Sequence, residues 1–102
     1  MSRVARHGKL TARTGRGDEV AAMLLEAAGR LDDDPGCELY LLSREAGRPD
    51  VVWVTELWRK QTDLDAAVER IRGSAEVAAV MALVESSEMI ELDLLGGKGP
   101  PP

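Results

Sequence analysis

The pattern of hydrophobic and polar positions along the chain predicts four β-strands and two helices in the order β-α-β-β-α-β. Strands are predicted where apolar and β-branched residues alternate or run together, at Val4–Arg13, Cys37–Arg44, Asp50–Arg59 and Met89–Leu95. Helices are predicted where apolar residues recur every three or four positions, within Val20–Leu31 and Leu64–Val84.

The helix ends carry capping and breaking signals. Asp18 is positioned to cap the first helix, because its carboxylate can accept the free N–H groups of the first turn. Thr62, with Asp65 three residues later, forms a weakened capping box for the second helix. Gly73-Ser74 interrupts this helix, and the serine can cap the shorter piece that follows. We therefore expect the second helix to be broken in two.

This order of elements predicts an α+β, ferredoxin-like fold. Right-handed crossovers then place the strands in a four-stranded antiparallel sheet of order 4-1-3-2, with both helices on one side. The charges agree with this order, because residues 1–17 carry five basic residues and no acid while residues 76–95 carry five acids and no base. Charge alone fits neighbouring first and fourth strands and two independently solvated faces equally well, and the predicted strand order favours neighbours.

The two middle strands predict a buried second face of the sheet. Residues 39–42 and 51–54 are apolar at both odd and even positions, a pattern typical of strands that are buried on both sides. The helices can cover only one side. A second copy of the same sheet is the simplest cover for the other, so we expect a homodimer.

Length and composition narrow the class of protein. The 102 residues predict one domain over residues 1–95, followed by a flexible tail of Gly, Lys and Pro at 96–102. A net charge of −5 with only three aromatic residues argues against nucleic-acid binding. No apolar run is long enough to span a membrane and no signal peptide is recognisable, so we expect a cytoplasmic protein. The single cysteine, Cys37, excludes an internal disulfide and a multi-cysteine metal site.

Two short motifs carry a resemblance to a known family. They are Pro35-Gly36-Cys37-x-x-Tyr40, which enters the second strand, and Val52-Trp53-Val54-Thr55-Glu56-Leu57-Trp58, which ends the third. Together with the turn before the first helix and the broken second helix, they make residues 4–95 resemble the antibiotic biosynthesis monooxygenase (ABM) family of small dimeric α/β-barrel proteins.

The resemblance implies a homodimer with a pocket between the sheet and the helices of each subunit. It also implies oxidation of aromatic polyketides or quinols by molecular oxygen, with no metal or organic cofactor. Other members of the family degrade haem, but haem needs an axial ligand that is usually His. The later helix of this chain contains no His, so we reject the haem interpretation.

His7 and Tyr40 are the candidate catalytic residues. His7 is the only histidine, and it is a natural base for a phenol or hydroquinone, although a structural pairing with Glu91 or Asp93 is the more ordinary interpretation. The hydroxyl of Tyr40 can orient a carbonyl group.

The candidate substrate-binding residues are Trp53, Trp58 and Arg44. The two indoles can stack on an aromatic ligand, whereas a role in the core or in the dimer interface is the default for large aromatic residues. Glu56, if it is buried, needs a cationic partner such as Arg44 or Arg59. No residue pattern indicates a metal site.

The resulting hypothesis is a cofactor-independent monooxygenase that acts on a small phenolic, quinol or aromatic polyketide-like molecule. In this hypothesis the pocket favours the substrate anion, which then reacts with oxygen itself. Two alternatives remain open: a non-catalytic dimeric protein that binds a hydrophobic small molecule, and an isomerase or cyclase on the same scaffold.

Overall fold

The secondary structure follows the predicted order of elements. A computed structural model of the chain describes residues 3–99, and it contains β1 (Val4–Ala12), α1 (Gly17–Gly29), β2 (Cys37–Arg44), β3 (Val51–Trp58), α2 (Gln61–Ile71), α3 (Ala75–Ala82) and β4 (Val84–Asp93). A short 3₁₀ helix at Arg30–Asp33 extends α1. The predicted break in the second helix is confirmed as the boundary between α2 and α3.

The four strands form one antiparallel sheet in the order β2-β3-β1-β4. This is the predicted order 4-1-3-2 in the opposite direction, so the ferredoxin-like fold is confirmed. The basic first strand and the acidic fourth strand lie side by side, as their charges indicate.

Two buried clusters join the helices to one face of the sheet. The first cluster contains Ala12, Val20, Val52 and Val84, and the second contains Val4, Trp58 and Leu64. Both clusters use the even-numbered residues of β1 and β3, because successive side chains of a strand point to opposite faces. We call this face the helix side of the sheet and the other face the open side.

The predicted caps of the first two helices are wrong, whereas the third cap is confirmed. α1 begins at Gly17 and α2 at Gln61, so Asp18 and Thr62 lie inside the helices, and neither helix start has a side-chain cap from the residue before it. Instead, the carboxylate of Asp50 accepts hydrogen bonds from the N–H groups of Gly15 and Gly17, each at 3.0 Å. A loop that is distant in sequence therefore supplies the acceptor that Asp18 was expected to provide. At α3, the hydroxyl of Ser74 accepts the N–H of Val77 at 3.1 Å.

The last strand is longer at its start than predicted. β4 begins at Val84 rather than Met89, because its backbone pairs with β1 as far as Ala12. Its first residues are mostly polar because β4 is an edge strand, exposed along its whole length except at Val84. The hydrophobic pattern therefore underestimates its extent.

Within residues 3–99, none of the helices combines the length and apolar character needed to cross a lipid bilayer. Residues 100–102 of the predicted tail lie outside the described residues.

Candidate functional site

Four polar side chains form a row across the helix side of the sheet, one from each strand. In the strand register, Tyr40 of β2 lies opposite Glu56 of β3, Glu56 lies opposite Arg6 of β1, and Arg6 lies opposite Glu91 of β4. We call these residues the polar row. It crosses a face whose neighbouring positions are mostly apolar, so its charged members need partners.

Glu56 is the buried anchor of the polar row. Its side chain is 3% exposed, and both carboxylate oxygens accept hydrogen bonds. Oε1 accepts the indole N–H of Trp58 at 2.9 Å, and Oε2 accepts Nη2 of Arg6 at 3.2 Å. The expected partners of Glu56 are wrong: Arg44 binds Asp18, and Arg59 binds Asp63. Arg6 takes this role because β1 lies between β3 and β4, directly beside Glu56.

Arg6 retains one buried donor. Its side chain is 22% exposed, and Nε has no hydrogen-bond partner among the described residues although it is closed off from solvent. An unsatisfied buried donor costs about 1–3 kcal/mol. Glu91 lies opposite Arg6 in the register, but residues 3–99 show no ion pair between these two side chains.

Tyr40 is a hydrogen-bond donor at neutral pH. Burial, and secondly the carboxylate of Glu56, raise the pKa of Tyr40 to about 12, and the guanidinium of Arg6 opposes this shift. Burial likewise raises the pKa of the Cys37 thiol to about 11, which disfavours a nucleophilic thiolate. A cleft of about 210 Å³ between the end of α1 and β2 reaches both residues.

His7 lies on the open side of the sheet, away from Tyr40. Its ring stacks on Trp53 with 5.0 Å between ring centroids, and Nδ1 is 3.2 Å from Oγ1 of Thr55. Nζ of Lys9 lies 5.6 Å from the centroid of the Trp53 ring, and the indole N–H donates to Glu45 at 2.9 Å. The structure therefore does not bring the two predicted catalytic residues together.

The structural alternative for His7 also differs from expectation. Its register partner on β4 is Ile90. Glu91 and Asp93, the expected partners, are in register with Arg6 and Val4, which occupy positions on the helix side. His7 pairs with Thr55 instead because both residues are on the open side.

The remaining predicted residues are divided between the two faces. Trp58 is 2% exposed and packs with Val4 and Leu64 on the helix side, where it also binds Glu56. Trp53 is on the open side. Arg44 is exposed and binds Asp18 at 2.8 Å, four positions along β2 from Tyr40. Only Tyr40 and Trp58 of the five predicted residues therefore belong to the region of the polar row.

Sequence reasoning missed Arg6 and Glu91 as members of the site. The available signal was the basic first strand beside the acidic fourth, but it could not specify which basic residue points toward Glu56. That choice depends on the register between β1 and β3.

A second, larger cleft beside the 3₁₀ helix is a less suitable site. It measures about 320 Å³ and is lined by Arg30, Asp33, Asp34, Pro35 and Arg70. Three of its four charged side chains are already paired, since Arg70 binds Asp34 at 2.7 Å and Arg30 binds Glu76. Within residues 3–99, no group of His, Cys, Asp and Glu is arranged to hold a metal ion.

The chain belongs to the antibiotic biosynthesis monooxygenase family. The model of this family matches residues 3–83, which include β1, β2, β3, α1, α2 and α3. The resemblance recognised in the two strand motifs is thereby confirmed. None of the curated proteins matches the chain.

Solved structures support the same fold. A candidate antibiotic biosynthesis monooxygenase from Chloroflexus aurantiacus is 28% identical, with 96% of this chain and 98% of that chain covered and a TM-score of 0.81. A candidate member from Deinococcus radiodurans is 20% identical, with 97% and 99% covered and a TM-score of 0.83. SnoaB, a cofactor-independent oxygenase from Streptomyces nogalater, is 18% identical, with 95% and 97% covered and a TM-score of 0.82.

Proposed function

We propose that the chain is a cofactor-independent monooxygenase that acts on a small phenolic, quinol or aromatic polyketide-like molecule. The observation that carries the proposal is the buried pair of Glu56 and Arg6 beside Tyr40. A buried ion pair contributes little net stability compared with well-packed apolar residues. Since packing alone does not explain this buried pair, a role in binding a ligand is the better explanation in a chain of this family. SnoaB supports the reaction type, since a cofactor-independent oxygenase has this fold.

The proposed reaction needs no external reductant. For an anthrone, R₂CH₂ + O₂ → R₂C=O + H₂O, so one oxygen atom enters the substrate and the other leaves as water. The substrate carbon supplies all four electrons. The protein then has to hold the aromatic ring, exclude water and stabilise the charge that develops on the substrate oxygen. Tyr40 is the proposed catalytic donor, because its phenol stays protonated at neutral pH.

The proposal also includes a homodimer formed through the open side of the sheet. Three large apolar side chains on this side are exposed: Leu41 at 52%, Ile90 at 55% and Leu92 at 43%. A symmetric partner would cover the same side chains on both subunits. In this arrangement His7 and Trp53 lie in or near the interface, and they support the assembly rather than the reaction.

The dimer can be tested by sedimentation velocity. Wild-type protein is expected to sediment as a dimer, and a Leu41→Glu/Ile90→Glu variant as a folded monomer, because two buried carboxylates would be placed in the interface. A Leu25→Glu variant is the matched control, since Leu25 is equally exposed but lies on α1. A monomeric wild-type protein would contradict the assembly.

The oxygenase activity is tested by oxygen uptake of chelator-treated protein with a panel of hydroquinones and anthrones. Wild-type protein is expected to consume one O₂ per ketone formed from an anthrone. Tyr40→Phe should lower kcat by roughly 10²-fold, the usual effect of removing one donor to an oxyanion. His7→Gln should leave kcat close to that of wild type. Equal rates in wild type and Tyr40→Phe would reject this assignment of the site.

One observation favours the second candidate, a binding protein without catalytic activity. The cleft that reaches Tyr40 measures about 210 Å³, below the roughly 300–1,000 Å³ of typical ligand pockets. Binding of panel members without oxygen uptake would support this candidate. Conversion of a panel member without oxygen uptake would instead indicate an isomerase or cyclase.

A further inference from the structure

The guanidinium of Arg6 has one fixed end and one unused buried donor. Nη2 donates to Glu56 at 3.2 Å, while Nε has no acceptor among the described residues. Glu56 cannot turn toward a ligand without losing a bond, since its second oxygen accepts the indole N–H of Trp58. The carboxylate therefore holds the guanidinium in place, and the Nε–H is available to another acceptor.

Tyr40 supplies a second donor in the same polar row. Its hydroxyl stays protonated at neutral pH, and Tyr40 and Arg6 are both register partners of Glu56, one on each side of it. Glu56 lies between these two residues in the register, with both of its oxygens already bonded. The Nε–H of Arg6 and the hydroxyl of Tyr40 therefore remain for a ligand. Both are hydrogen-bond donors, so they can bind an oxygen acceptor but not a cation.

An adaptable side chain lies in the row next to Arg6 on the same face of the sheet. Met89 lies opposite Gly8 on the neighbouring row of the helix side, and its sulfur would be 2.9 Å from a Cβ placed on Gly8. Met89 is 40% exposed. An unbranched methionine can change rotamer readily and can contact an aromatic ring through sulfur.

We propose that the Nε–H of Arg6 and the hydroxyl of Tyr40 form a two-donor subsite for the carbonyl oxygen of an aromatic ketone or quinone. Glu56 is the positioning residue that orients Arg6, and Met89 moves to admit the ring. This inference rests on the proposed function, since it specifies how the same site recognises its substrate. When an anthrone loses a proton to solvent, the negative charge is on that same oxygen, so both hydrogen bonds strengthen as the reaction proceeds.

The test compares two ligands that differ only in the acceptor. α-Tetralone and tetralin share a bicyclic skeleton, and only the first carries a carbonyl oxygen. Binding is followed by ¹H–¹⁵N correlation NMR of the arginine Nε–H groups, with the Arg6 signal identified by its absence from Arg6→Lys. α-Tetralone is expected to shift this signal, and tetralin is expected to leave it in place.

The affinities of three variants complete the experiment. Arg6→Lys keeps the charge beside Glu56 but removes the Nε–H, and Tyr40→Phe removes the second donor. Each should raise the Kd for α-tetralone about tenfold, the effect of losing one hydrogen bond to a ligand, and leave the Kd for tetralin unchanged. Arg3→Lys is the matched control, because Arg3 forms an exposed pair with Glu38 beside the same strand.

Three results of the binding experiment would overturn the subsite: no binding of α-tetralone to wild-type protein, an Arg6 signal that does not move, or an equal loss of affinity for both ligands. Because α-tetralone binding uses no oxygen, the outcome is separate from that of the proposed reaction. Selective binding without oxygen uptake from an anthrone would retain the subsite and reject the oxygenase. Oxygen uptake by Arg6→Lys at the wild-type rate would instead retain the oxygenase and reject the subsite.

Discussion

Removal of Arg6 should expose the energetic role of the buried ion pair. In Arg6→Met, the carboxylate of Glu56 remains 3% exposed and retains only its bond from Trp58. Breaking a fully buried pair by removing one partner costs about 3–5 kcal/mol. Because the Arg6 side chain is itself 22% exposed, water already screens part of the interaction. We therefore expect a loss near the lower limit, about 3 kcal/mol.

Urea unfolding followed by tryptophan fluorescence measures this loss. With a urea dependence of roughly 1–3 kcal/mol per M, a loss of about 3 kcal/mol lowers the midpoint by about 1–3 M. Protein concentration must be the same for all variants, since a homodimer would make the midpoint depend on concentration. Arg3→Met is the control and should unfold at the wild-type midpoint, because its pair with Glu38 is exposed.

A double-mutant cycle separates the pair from packing effects. The cycle compares Arg6→Met, Glu56→Met and the double variant, which replaces both charges with apolar groups. The double variant should recover most of the loss and differ from wild type by about 1–3 kcal/mol at most, because the buried indole N–H of Trp58 still loses its acceptor. The reasoning is refuted if Arg6→Met unfolds at the wild-type midpoint, or if the double variant loses the sum of the two single losses.

Three further predictions concern single positions. Tyr40 is the only tyrosine, so absorbance at the tyrosinate band should titrate near the raised pKa of about 12 in the folded protein and near 10 in urea. Because the unfolded chain loses this proton at lower pH than the folded protein, the free energy of unfolding should fall from about pH 10 upward. The fall should be smaller in Tyr40→Phe. Asp50→Ala should destabilise the protein by about 1 kcal/mol in thermal unfolding, because the N–H groups of Gly15 in the turn before α1 and of Gly17 in its first turn lose their acceptor. Asp18→Ala should have a smaller effect. Gly8→Ala should displace β4 from β1 around Glu88, since a Cβ there would lie 2.1 Å from the carbonyl oxygen of Glu88. Faster amide exchange is therefore expected in β4, and exchange that matches wild type would contradict this.

Much of the fold could be predicted because its signals are local. Apolar spacing and turn residues identified every strand and each α-helix, and Ser74 was recognised as a cap because a cap and its partner are three residues apart. The charge of β1 and β4 even indicated their adjacency. The cap at Asp18 was wrong because Asp50, more than thirty residues away in the chain, occupies the same place in space.

The candidate site was less predictable because it depends on which side chains share a face. Side chains alternate along a strand, so Cys37 and Tyr40, which are three residues apart on β2, are expected on opposite faces of the sheet. A bulge between Cys37 and Leu39 changes the register, so that Cys37 pairs with Trp58 and Tyr40 with Glu56, both on the helix side. One extra residue therefore determines whether Tyr40 belongs to the site.

The family, the order of elements and the strands that carry chemistry can be read from residue type and short spacing alone. The partner of Glu56 cannot, because Arg6 lies fifty residues away in the chain, and neither can the position of His7 on the other face. A strand alternates its side chains with a period of two, so which residues share a face depends on register. A pattern along one strand reveals that alternation, but only the pairing between strands specifies which residues meet.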